Sequence, residues 1–131
     1  MRLEQEFASK IYEQVSAYRK DSTDEKKYKQ YGSIAYTLPI LVRTAGLAQA
    51  LAFVESKSKK QTPYAHLLDH LAEVVINDKD GTKLAEKSRD AGLQEYMYLT
   101  RRTMLALKWY KRFAESELGI TSTDQPEVGG V

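Results

Sequence analysis

The sequence predicts an all-α, single-domain bundle of about six helices, closed by a long C-terminal helix. Three observations carry this prediction. Apolar residues recur at spacings of three and four along most of the chain, caps and breakers punctuate them at short intervals, and no stretch alternates apolar with polar residues as a half-buried strand would. The 131 residues suffice for one domain that buries roughly two-thirds of its unfolded surface. The bundle is expected over residues 1–119, with residues 120–131 a flexible acidic tail.

The first helix runs from Leu3 to about Lys20, with Leu3, Phe7, Ile11, Val15 and Tyr18 on one stripe. Ser22 and Glu25 have the spacing of a capping box for the second helix. That helix buries Tyr28, Tyr31, Ala35 and Leu38 and turns Lys26, Lys29 and Ser33 outward. Pro39 predicts a kink or break near Thr37, and Gly46 a stop. Leu47 to Lys57 is nearly all apolar and belongs at the centre of the core. Thr62-Pro63 opens a fourth helix through Leu67, Leu68, Leu71, Val74 and Val75, which ends at Asn77 to Gly81. Thr82 is expected to cap a short fifth helix ending near Gly92. The sixth runs from Leu93 to Leu118 and stops at Gly119.

Composition excludes several functions. Cysteine is absent, so disulfides, thiolate metal sites and cysteine nucleophiles are ruled out. No apolar run is long enough for a membrane span and the first residues hold no apolar signal core, so the expected compartment is the cytoplasm. A single asparagine points weakly to a heat-adapted source. The net charge of +2 hides an asymmetry. Residues 1–113 hold all 20 Lys and Arg against 14 acids, and the remainder holds only the acids Glu115, Glu117, Asp124 and Glu127. A basic body suits a phosphate-bearing partner, and equally a merely solvated surface.

Catalytic motifs are missing. There is no Gly-x-Ser-x-Gly elbow and no glycine-rich phosphate loop. The best metal candidate is His66-Leu67-Leu68-Asp69-His70, whose histidines share a helical face. It lacks an evident third ligand, and Asp69 stands where a zinc protease would need Glu, so no metal or cofactor is expected. Asp78 and Asp80 read as turn residues.

On a helical wheel the last helix separates two surfaces. Leu93, Tyr96, Met97, Leu99, Met104, Leu107, Tyr110, Phe113, Ala114 and Leu118 form a wide apolar arc expected to be mainly core. Arg101, Lys108 and Arg112 form a stripe beside it, bordered by Lys111. Tyr98, Arg102 and Trp109 lie on the far side. Trp109 is the candidate subunit contact, or is covered by a neighbouring helix.

Tyr31-Gly32-Ser33-Ile34-Ala35-Tyr36-Thr37-Leu38-Pro39, Gly46-Leu47, Ala50 to Lys57, Tyr96 and Leu107 to Glu115 occur in an order that resembles the small subunit of the type III-B CRISPR effector, the Cmr complex. The likeness covers residues 26–58 and 93–118, the first helix loosely, and little of residues 59–92. It implies a non-catalytic, cofactor-free helical protein acting in antiviral defence. Several copies would associate with one another and with other Cmr subunits, beside the guide RNA and target RNA. On this reading the RNA contacts are Lys26, Lys29, Arg43, Lys57, Arg101, Lys108 and Arg112. The alternatives are a module that docks an acidic protein, and a metal-dependent hydrolase using His66 and His70.

Overall fold

In the computed structural model, which describes residues 2–59 and 62–121, six helices follow one another with short connections. They are α1 (Arg2–Asp21), α2 (Glu25–Ala45), α3 (Leu47–Lys57), α4 (Pro63–Ile76), α5 (Gly81–Asp90) and α6 (Leu93–Leu118). No strand occurs among the described residues, so the all-α class holds. None of these helices is long and apolar enough to cross a membrane. The helix α2 is the hub, packing on α6, α4 and α3, while α1 lies along α6 and α5 closes over α3 and α4.

Of the expected stripe of α1, Phe7, Ile11 and Val15 are buried and Tyr18 is half-buried, while Leu3 at the helix start is 39% exposed. The start of α2 is capped differently from the sequence expectation. The Asp24 carboxylate accepts from Lys26 N–H at 3.0 Å, and Ser22 only donates to the Asp24 carbonyl. Nor does Pro39 break α2, which is one helix throughout. Pro39 is itself buried, and packing against three neighbours outweighs the missing N–H. The same enclosure buries Ser33, which a single apolar stripe would turn outward.

Gly46 connects α2 to α3 with φ of 88°, where a side chain would be strained. It cannot cap α3 with a side chain, and Tyr96 of α6 does so instead: its hydroxyl accepts from Ala48 N–H at 3.0 Å. Tyr96→Phe is therefore expected to cost about 1 kcal/mol, read as a lowered urea midpoint with an unchanged m value.

Thr62 caps α4 as expected, with Pro63 in the first turn, and Asn77 closes it in the left-handed conformation. At α5 the cap is Asp80 rather than Thr82, whose N–H and hydroxyl both donate to the Asp80 carboxylate. The last helix ends at Gly119 in the left-handed conformation. Ile120 then turns back, its N–H bonded to the Ala114 carbonyl, and its side chain is buried over Gly32. The folded part thus extends past Gly119, and Ile120 belongs to the core rather than to a tail. Residues 122–131 of the expected tail lie outside the described residues. The apolar arc of α6 is core from Leu99 onward, but Leu93 is 75% exposed and Met97 49%. The helix has 26 residues, more than the α1 and α2 it lies against, and in its first turns Tyr96 packs on the core while Leu93 and Met97 stay exposed.

Candidate nucleic-acid interface

A cation-lined surface arises where α2 and α6 pack together. On α2, Tyr36 and Arg43 are seven residues apart and so share one edge. On α6, Lys111 faces that edge, its ammonium 4.7 Å from the Tyr36 ring centre. Between the helices opens a groove of about 370 Å³, lined by Pro39 and Arg43 from α2 and Met104, Lys108, Lys111, Arg112 and Glu115 from α6. Four cations meet one carboxylate there. Such a concave, cation-lined surface concentrates positive potential and suits an anionic ligand.

The seven residues read from the sequence fall into distinct places. Arg43, Lys108 and Arg112 come together in the groove. Arg101 is exposed on α6, two turns before Lys108. Lys29 is half-buried near the far end of the same α2–α6 seam, its ammonium close to Gly119 at the C-terminus of α6, where a cation is stabilised by the helix dipole. Lys26 is exposed in the first turn of α2. Lys57 ends α3, where its ammonium lies 5.7 Å from the Phe53 ring centre, and is not part of the groove lining. Lys111 is a lining cation absent from the RNA contacts read off the sequence. On the wheel it only borders the basic stripe, and the aromatic ring that holds it belongs to another helix.

Trp109 is half-buried on the other side of this stripe. Its ring stacks on Phe113 at 5.7 Å, and Phe113 meets Tyr12 of α1 edge-on at 5.3 Å. Lys108 and Arg112 lie over the indole at 5.7 and 5.5 Å. Lys108 also donates to the Glu4 carboxylate at 2.6 Å. That hydrogen bond and the ammonium charge hold the Glu4 carboxyl below its ordinary range. Slight desolvation opposes this, and the nearby indole adds a lesser lowering, although its N–H lies outside hydrogen-bonding geometry. The far-side Arg102 has a structural role: it donates to the Val75 carbonyl at the end of α4 and lies over Phe7 and Tyr98.

The histidines sit elsewhere, at the junction of α1, α2 and α4. The Tyr31 hydroxyl and His70 Nδ1 are 2.7 Å apart, and His66 Nδ1 and the Tyr18 hydroxyl 3.0 Å. Gln14 donates to the His70 carbonyl and to Glu73, and accepts from Tyr110. Burial, with the neighbouring His66, depresses the His70 pKa to about 4, against a smaller opposing effect of Glu73. Asp69 of the same segment is engaged by Gly81 N–H at 2.8 Å, which ties α4 to α5. Among the described residues no three His, Asp or Glu side chains converge as a metal site would require.

The family model for CRISPR-associated protein (Cas_Cmr5) matches residues 3–117. The chain belongs to this family. The match takes in every groove residue, and it also spans residues 59–92, where the sequence shows little of the resemblance. The chain is 40% identical to "CRISPR system Cmr subunit Cmr5" of Thermus thermophilus over 112 residues, covering 86% of this chain and 92% of that protein. It is similar in structure to a crystallised CRISPR-associated Cmr5 family protein from the same organism, with a TM-score of 0.77 at 39% identity, over 87% of this chain and 95% of the other. The fold and the family are those expected of a Cmr small subunit.

Proposed function

We propose that the chain is a non-catalytic small subunit of an RNA-guided Cmr complex and that the α2–α6 groove lies against the guide and target RNA. In this role several copies pack side by side along the other subunits, in the cytoplasm, and base pairing within the RNA supplies the sequence specificity. The observation that carries the RNA assignment is the convergence of Arg43, Lys108, Lys111 and Arg112 on one groove. Membership of a CRISPR-associated family, with a Cmr subunit among its relatives, supports a ribonucleoprotein setting. An RNA strand fits because its phosphates recur along a line, as the exposed cations do from Arg101 to Arg112.

The test replaces Arg43, Arg101 and Arg112, all exposed, by Glu. Retention of RNA by the assembled complex is expected to fall at least about tenfold at about 0.1 M salt, with the log–log salt slope flattened by roughly 2. Unchanged retention across a salt series, with thermal stability intact, would refute the groove as an RNA surface. Binding of an acidic protein that the same reversal abolishes would favour the docking-module reading.

A further inference from the structure

We infer that the groove and the adjoining Trp109 ledge take single-stranded RNA, with an unpaired nucleobase stacked on the aromatic rings. This rests on the RNA reading of the groove and adds that the stretch of guide or target at the ledge is unpaired. Tyr12, Phe113 and Trp109 form a continuous aromatic series across α1 and α6, with neighbouring ring centres 5.3 and 5.7 Å apart. Tyr12 is 46% exposed and the other two are half-buried. Packing within this chain therefore leaves part of the series open.

The position of the cations completes the argument. Lys108 and Arg112 belong to the groove lining and also lie over the Trp109 ring. A cation over an exposed ring gains less from it than a nucleobase stacked on the ring does. A base arriving at the ledge displaces these side chains from the indole, and the released cations then face the phosphates on either side of that base. Duplex RNA keeps its bases in its own stack and offers none to the ledge.

Trp109 is the only tryptophan of the chain, so its emission reports the ledge directly. Three probes of about 12 nucleotides, within the length range of single-strand sites, are titrated into the full chain at low salt. Binding is also followed by anisotropy of a label on the RNA. The probes are oligouridylate, the same strand annealed to its complement, and an abasic ribose-phosphate strand of equal length. Single-stranded oligouridylate is expected to quench Trp109, and to bind about tenfold more tightly than the abasic strand. Trp109→Ala should remove that difference, with Trp109→Phe retaining most of it. Equal affinity for the two single strands without quenching would overturn the stacking inference and leave the groove reading standing. Tighter binding of the duplex would likewise overturn it. No binding of any probe would overturn the stacking inference, and unchanged retention by the complex carrying the Arg43, Arg101 and Arg112 reversals would remove the groove reading as well. Protection of Trp109 by a protein subunit within the complex, with RNA bound elsewhere, would assign the ledge to a protein contact and overturn the inference.

Discussion

Acidification from pH 7 to pH 4 is expected to remove about 3 kcal/mol of folding stability through His70 alone. Burial holds the folded ring's pKa at about 4, against about 6.5 in the unfolded chain. Above about pH 6.5 neither state binds the proton and His70 costs nothing. Between those two values the unfolded chain takes up a proton that the folded one refuses, so stability falls by up to about 1.4 kcal/mol per pH unit. Below the folded pKa both states are protonated and the loss levels off. The neutral ring fits its surroundings: the hydroxyl of fully buried Tyr31 lies 2.7 Å from Nδ1, a hydrogen bond that a neutral imidazole can make. Urea unfolding of the chain and of His70→Phe across this pH range checks the expectation. The variant should be less stable at neutral pH by about 1–3 kcal/mol, because Tyr31 loses its hydrogen-bond partner. Its stability should also depend less steeply on pH over the same range. Parallel pH profiles would show that His70 is not the titrating group.

Gly81→Ala should cost about 2–3 kcal/mol, although alanine favours a helix more than glycine does. A Cβ at this position would lie 2.6 Å from Leu68 Cγ, 2.7 Å from the Leu68 carbonyl carbon and 2.8 Å from Asp69 N. Two of these atoms are backbone and cannot rotate away. The start of α5 must instead lift from α4, which loosens the bond from Gly81 N–H to Asp69. Overpacking of about 1–3 kcal/mol and a lost hydrogen bond of about 1 kcal/mol exceed the helix-propensity gain of at most about 1 kcal/mol. The melting temperature should drop by about 8–12 °C, read by calorimetry. A variant as stable as the parent would mean that the α4–α5 contact is looser than this geometry requires.

The helices were legible in the sequence because their apolar periodicity and their glycine and proline punctuation are local. What escaped were effects that depend on neighbouring elements. Pro39 reads as a break only when α2 is considered alone; with α3, α4 and α6 packed on it, the helix continues. Tyr96 capping α3 and Ile120 folding back over Gly32 both join residues far apart in the chain. The basic stripe of α6 was visible on a wheel, but its pairing with Arg43 and the inclusion of Lys111 required the α2–α6 packing. The histidine pair was the best metal candidate by spacing, though without a third ligand no metal was expected; its tyrosine partners, which anchor α4 to α1 and α2, lie on other helices and could not be read from the spacing.

On the proposed RNA reading, the Glu4–Lys108 pair alters how the cations of the groove should be counted. Each phosphate that a lysine or arginine neutralises frees a cation condensed on the RNA, and the entropy of that release drives association. At Lys108 the phosphate would have to displace a carboxylate of α1 that already lies 2.6 Å away. The RNA would still lose its condensed cation there, but the broken ion pair offsets part of the new attraction. Lys108 would thus count in the salt slope while adding less to affinity than its neighbours. The slope would then report more cations than the affinity does.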